Sequence, residues 1–532
     1  MNSKSLLKSL YLIYKFSIRR LRTSYASYGR TQKHPPPEKL SGQTIVCDME
    51  GGLLRTSSTF PYFMLVALEA GGLLRGLLLL ILCPLISCLG HEVGLRVMVM
   101  VCFLGLRKDK FRVGRAVLPK FFLEEVGLEG FEVVRRGGRR VCVSSMPTVM
   151  VEGFLQGYLD VEVVLGRELK VFGGYYTGLM VKEEEERRRR RRVRRRQAWL
   201  WRSCWEMRRW GKAGLLDSEA MPLVFASSVS SPTTVRSEVY SVSEAEKRRW
   251  HPLPSSKYPK PLVFHDGRIA FRPTPVAALC MFVWLPLGFL LASARALGFI
   301  LLPYDLSIPL LALLGMRNRV VTSSPPPRKE EEEGRSSRLY ITNHRTLLDP
   351  LVIAAALRRN VTATTYSISR ISEWISPIRT VRLTRNREED KRRMKQLLEE
   401  GELVVCPEGT TCREPYLLRF SPLFTEVSRE VTPVASETSV TMFYGTSTNK
   451  LKFLDPLFFL MNPFPCYEVE FMGRVPTGSI AGEVCSSYQM ANHLQGEIGR
   501  LLGFHCTSLT RKDKYLMLAG TAGVVEADDK GR

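Results

Sequence analysis

Of the seven histidines in this 532-residue chain, only His344 has an aspartate five positions on, in Asn343-His344-Arg345-Thr346-Leu347-Leu348-Asp349-Pro350. A neutral imidazole can take a proton from a hydroxyl while a carboxylate fixes its tautomer and steadies the imidazolium, so His344 and Asp349 could act as a general-base pair. The same spacing also suits a simpler role, with Asp349 capping a helix that opens on Pro350. Further on, Pro407-Glu408-Gly409-Thr410-Thr411 precedes Arg413 and Arg419, and Arg385 ends a segment of alternating basic residues from Arg379. Guanidinium groups of this kind suit bidentate contact with a phosphate. Near the start, Asp48-Met49-Glu50-Gly51-Gly52 pairs two carboxylates, and a carboxylate can attack phosphorus in phosphoryl transfer.

Each group falls at the end of a predicted strand. Leu339–Thr342 reads as a short apolar strand and Leu351–Leu357 as a helix, so His344 lies in a strand-to-helix turn. Glu388–Glu400 carries Met394, Leu397 and Leu398 at helical spacing and stops at Gly401. Leu403–Cys406 is a second apolar strand, and it places Glu408, Gly409 and Thr410 at the carboxyl edge of a sheet, where α/β folds bind ligands. Glu430–Ala435 is a third. In the first half, Thr44–Asp48 and Arg140–Ser145 read as strands, the latter ending at Ser144. The expected class is α/β in both halves.

Taken in order, His-x4-Asp, an arginine-ended strand, Pro-Glu-Gly-Thr and a Val-x-Pro-Val strand resemble the four blocks of the glycerolipid acyltransferase family. The run Pro407-Glu408-Gly409-Thr410-Thr411-Cys412-Arg413-Glu414-Pro415 is similar to land-plant glycerol-3-phosphate acyltransferases. That resemblance implies acyl transfer from acyl-CoA to a hydroxyl of sn-glycerol 3-phosphate, at sn-2 and giving lysophosphatidic acid, in cutin, suberin or glycerolipid synthesis. It implies His344 as base, Asp349 as its orienting carboxylate, Glu408, Gly409 and Thr410 around the pocket floor, and Arg385, Arg413 and Arg419 on the acceptor phosphate. Thr411 departs from the arginine common outside the plant branch. No metal or organic cofactor is expected. A lysophospholipid acyltransferase, and a bifunctional enzyme releasing 2-monoacylglycerol, share the blocks; a basic membrane-associated scaffold is the non-enzyme alternative.

Asp48, Glu50 and Ser144 resemble the first two motifs of haloacid-dehalogenase (HAD)-type phosphatases, in degenerate form. Glu50 replaces an aspartate, and Gly52 a threonine. The lysine and the Gly-Asp-x-x-x-Asp metal motif due after Gly178 are replaced by Glu183–Glu186 and nine arginines between Arg187 and Arg196. Magnesium would be needed only if that domain were active, and no activity is expected of it.

The formal charge of +25 points to anionic partners. Nucleic acid is not favoured, because no aromatic residue is interleaved with the arginines and no folded nucleic-acid module surrounds them. The twelve cysteines are dispersed and form no C-x-x-C pair, which suits reduced surroundings. Residues 1–40 form a basic N-terminal anchor or targeting segment, and 41–180 the HAD-like domain with an apolar cap, membrane-embedded or re-entrant. Residues 181–262 read as an arginine-rich insert and linker, 263–320 as membrane-associated helices and 335–525 as the acyltransferase domain. Val276–Ala294 has nineteen uncharged residues, long enough to span a bilayer, with Pro286 allowing either a kinked span or a helical hairpin. The expected location is an integral membrane position in the endoplasmic reticulum, with a mitochondrial membrane as the alternative; the partners are acyl-CoA, glycerol 3-phosphate and lipid.

Overall fold

The computed structural model describes residues 44–181, 223–226, 239–260, 262–322, 338–366, 370–448 and 452–520. The expectations for residues 1–40 and for the arginine run fall outside the described residues. The chain divides into two compact units, one of residues 1–265 and 272–279, the other of 266–271 and 280–532.

The first unit is built on five parallel strands. These are β1 (Thr44–Asp48), β2 (Arg139–Pro147), β3 (Val163–Arg167), β4 (Leu223–Ala226) and β5 (Val239–Ser241), in spatial order β3-β2-β1-β4-β5. Val46, Val141 and Leu165 form an apolar cluster on adjacent strands, as a sheet packed on its faces requires. Strand order reverses between β1 and β4, and the crevice at such a switch lies at the carboxyl end of β1, beside Asp48. Between β1 and β2 lie α1 (Phe60–Gly71), α2 (Leu73–Cys88) and α3 (His91–Phe103). All three are shorter than the roughly 20 residues a membrane span needs. α1 is almost wholly buried in protein, whereas α2 exposes Leu74, Leu78, Ile81 and Leu85.

Two expectations change here. The linker reading of 181–262 is corrected, because β4 and β5 lie within that range and complete the sheet. Short, isolated strands separated by polar sequence carry little periodic signal, which is why they read as linker. Of Pro261–Arg268, read as a strand and turn, the described residues 262–268 form no strand; beyond them Ile269 makes one bridge, to Phe443.

A helix α4 (Pro275–Leu301) runs without interruption through Pro286, which removes the hairpin reading. At 1.5 Å per residue its 27 residues cover about 40 Å, against a hydrocarbon core of roughly 30 Å. It is the helix, among the described residues, long and apolar enough to cross a membrane. Val276, Val283, Leu287, Leu290 and Leu301 are exposed along it. Arg295, expected to bound the span, lies inside the helix, fully buried. Its guanidinium donates to the carbonyls of Leu314, Leu460, Asn462 and Pro463, at 2.5 to 3.1 Å, so the charge is surrounded by backbone acceptors.

The second unit holds an eight-stranded sheet. Its main path uses β6 (Arg317–Thr322), β7 (Leu339–Thr342), β8 (Val361–Thr365), β9 (Arg379–Arg382), β10 (Glu402–Val405), β11 (Glu430–Ser439) and β12 (Cys466–Phe471), in the order β9-β8-β10-β7-β11-β12-β6. β7 is central, buried at all four residues, and parallel to both β10 and β11. The carboxyl ends of β7 and β10 are therefore neighbours, and the loops after them meet. Helices α5 (Asp349–Leu357), α6 (Arg387–Glu400), α7 (Ser487–Leu502) and α8 (Arg511–Ala519) follow in the chain. Leu339, Ile341, Leu403 and Val405 pack with Met394 and Leu397 of α6 and with Met490, Leu494 and Ile498 of α7 in one core.

Candidate active site

The turn after β7 is held from several directions. Asn343 makes a paired bond with Ser436 of β11, its amide donating to the carbonyl and accepting from the N–H, both at 2.8 Å. Asp349 does not cap the helix from outside, since it is the first residue of α5. Its carboxylate accepts from the Arg345 N–H at 2.6 Å, the Thr346 N–H at 3.0 Å and the Tyr467 hydroxyl at 2.7 Å. It also meets His344 Nδ1 at 2.9 Å. Fully buried and so constrained, the carboxylate selects the tautomer with hydrogen on Nδ1 and leaves Nε2 available. Desolvation would depress the His344 imidazole. The neighbouring Cys406 sulfur and the Asp349 carboxylate outweigh that and hold its pKa well above the usual histidine value.

The loop after β10 is fastened to this turn. Glu408 accepts from the His344 N–H at 2.7 Å and, through its other oxygen, from the Leu418 N–H at 2.9 Å. Burial pushes its carboxyl up to about 7 against the pull of those two N–H groups. Gly409 adopts φ +66°, a left-handed conformation that favours glycine. Arg345 donates to the carbonyls of Cys412, Arg413 and Glu414 at 2.6 to 2.8 Å. From α8, Lys514 donates to the Thr411 carbonyl at 2.5 Å, and Tyr515 hydrogen-bonds the Thr410 side chain.

A cavity of about 270 Å³ opens at His344. Phe299 and Ile300 of α4, with Leu347, Leu351, Ile378 and Leu460, give it apolar walls; Gly409, Thr410 and Thr411 line it beside Cys406. Of the residues anticipated from sequence, His344, Gly409 and Thr410 line the cavity, whereas Glu408 lies behind it. Arg413 turns away. Its guanidinium donates to the carbonyls of Gly267, at 2.5 Å, and Thr446, and stacks 4.4 Å from the Tyr444 ring centre. Arg385 and Arg419 are exposed and do not line the cavity either, although the Arg385 charge is felt at Tyr366 on its wall. Tyr467 and Cys406 were missed, since neither stands in a motif.

In the first unit, Glu50 is buried at the carboxyl end of β1. One of its oxygens accepts from the Ser144 and Ser145 hydroxyls at 2.7 and 2.9 Å and from the Ser145 N–H at 2.9 Å. A lysine does reach this crevice, contrary to the sequence reading. Fully buried Lys247 donates to the Glu50 carbonyl at 2.8 Å and to Ser57 Oγ at 2.5 Å, and pairs with Glu244 at 2.6 Å. Lying 197 positions beyond Glu50, past the arginine run, it carried no local signal. These residues do not fit magnesium. An ammonium group already lies against the Glu50 carbonyl, and one Glu50 oxygen is taken by hydroxyls and N–H groups. Oε2 is buried without a partner among the described residues, and these contain no cluster of three potential ligands.

A family model for the "Glycerol-3-phosphate acyltransferase RAM2-like, HAD-like domain" matches residues 44–222, running through the arginine-rich stretch, and one for "Acyltransferase" matches 326–437. The chain is 48% identical over 528 residues to "Probable glycerol-3-phosphate acyltransferase 3" of Arabidopsis thaliana, covering 97% of this chain and 98% of the relative. It is 45% identical to "Probable glycerol-3-phosphate acyltransferase 2" of the same plant, covering 99% of each. To "Glycerol-3-phosphate acyltransferase RAM2" of Petunia hybrida it is 40% identical, covering 90% of this chain and 97% of the relative. Such a chain is an acyltransferase that carries a HAD-like domain ahead of its transferase domain. It belongs to the plant glycerol-3-phosphate acyltransferase family.

Proposed function

We propose that this chain moves an acyl group from acyl-CoA to a hydroxyl of sn-glycerol 3-phosphate at a membrane surface, with His344 as general base and Asp349 orienting it. The observation that carries this reading is the Nδ1–carboxylate contact of 2.9 Å at the mouth of a cavity walled by apolar side chains. As the acceptor oxygen bonds to the thioester carbon, its proton passes to Nε2 and Asp349 steadies the imidazolium. The carbon–sulfur bond then breaks, and CoA leaves as the thiol by taking that proton. The apolar walls would accept the acyl chain. Protein groups and the two substrates suffice, so no cofactor is invoked.

The acceptor position is sn-2, the product lysophosphatidic acid, and the use cutin, suberin or glycerolipid synthesis on the endoplasmic reticulum. Phosphate stays on the product, because Lys247 sits against the Glu50 carbonyl and Ser144 and Ser145 take up one oxygen of the Glu50 carboxylate in the HAD-like domain. An assay of the membrane fraction with labelled acyl-CoA tests this, offering glycerol 3-phosphate and lysophosphatidic acid in parallel. The expected result is 2-acyl lysophosphatidic acid from the first acceptor, with no monoacylglycerol. Turnover of lysophosphatidic acid alone would overturn the acceptor, and release of inorganic phosphate would overturn the inactive phosphatase.

A further inference from the structure

The acceptor carries a phosphate dianion, yet the arginines that the sequence offered for it do not line the cavity. Arg413 spends its guanidinium on two backbone carbonyls. Position 411, on the cavity wall, is threonine. Among the described lining residues the cavity has one lysine or arginine, Lys452. It lines the same cavity as Thr410, Thr411 and His344. Among the described residues no carboxylate pairs with Lys452, while the acid among the described lining residues, Asp455, is paired with Arg268 at 2.5 Å.

What Lys452 does contact is Tyr515 of α8. Its Nζ donates to the Tyr515 hydroxyl and lies 4.9 Å from the ring centre, and the guanidinium carbon of Arg511 lies 4.7 Å from the same ring. Two cations therefore lie against one aromatic ring, and the phenol between them also bonds Thr410. Lys452 thus brings a positive charge into the cavity that holds the base, with donors that rotate freely enough to meet a tetrahedral phosphate.

We propose that Lys452, seated by Tyr515 and backed by Arg511, holds the phosphate of the acceptor in place of an arginine at position 411. The inference rests on the acyl-transfer reading above. Lys452 would touch the substrate, whereas Tyr515 is a positioning residue that keeps the ammonium facing the cavity.

The test is steady-state kinetics on the full chain in membranes, varying glycerol 3-phosphate and acyl-CoA separately. Lys452→Ala should raise KM for glycerol 3-phosphate by about 10- to 100-fold, the loss of a charge-assisted bond, and leave KM for acyl-CoA within about twofold. Lys452→Arg should recover most of that loss. Tyr515→Phe should raise the same KM by a smaller factor. With glycerol as a phosphate-free acceptor, wild type and Lys452→Ala should react equally slowly. An unchanged KM for glycerol 3-phosphate in Lys452→Ala would overturn the inference, and so would a rise for acyl-CoA, which would move the ammonium to the CoA phosphates. Equal losses with glycerol and glycerol 3-phosphate would make the residue structural and also overturn it. If the wild-type chain does not acylate glycerol 3-phosphate at all, the function itself is wrong, and that outcome is read before any variant.

Discussion

At the scale of residues, the site is a histidine whose tautomer is set by a carboxylate with no other freedom. Asp349 accepts from two backbone N–H groups and a buried tyrosine hydroxyl besides His344. Burial lowers the His344 pKa and the neighbouring Cys406 and Asp349 raise it further, so the net is upward and the neutral base forms at higher pH than for an ordinary histidine. Activity should thus fall as pH drops, with the limb above the ordinary histidine value of about 6.5. Asp349→Asn should shift that limb to lower pH, since a stabiliser of the imidazolium is lost, and cut kcat by about 10²- to 10⁴-fold. A pH–rate profile of both proteins checks the sign, and a limb that stays put in the variant contradicts it. Tyr467→Phe removes a single donor to the buried carboxylate; thermal unfolding should register a loss of about 1–3 kcal/mol.

At the scale of elements, the loop after β10 is a part fastened at several points: Glu408 to the His344 turn, Arg345 to three carbonyls, Lys514 to Thr411. Glu408→Ala leaves two N–H groups without their acceptor, which costs about 1–3 kcal/mol each where burial is retained. Stability and kcat should fall together, with KM for either substrate changing less, and unfolding and kinetic measurements on one preparation test that coupling. The framework of this site was legible because β7, β10 and β11 are short apolar runs beside turn residues, and their order placed His344 next to Glu408. Direction was not legible. A guanidinium reaches far on a flexible stem, so nothing in the sequence separates Arg413 bonded to Gly267 from Arg413 on a substrate. Tyr467 and Lys247 were hidden for another reason, since each reaches its site across a long separation that only the folded sheets close.

At the scale of the whole molecule, a helix that suits a bilayer by length and composition also supplies Phe299 and Ile300 to the wall of the cavity. Replacing exposed Val283, Leu287 and Leu290 with serine should release protein from membranes on alkaline carbonate washing, and retention of the variant in the pellet would argue for a different anchor. The HAD-like unit keeps its parallel sheet and buries Glu50 and Lys247 at the carboxyl end of β1. Glu50 and Lys247 serve there as internal partners of Ser144 and Ser57.

The central claim is that acyl transfer runs through the His344 imidazole, and kcat of His344→Ala with labelled glycerol 3-phosphate tests it most directly. With equal amounts of folded protein in the membrane fraction, the variant should form product at least about 10²-fold more slowly than the wild type. Product formation at the wild-type rate would contradict the account.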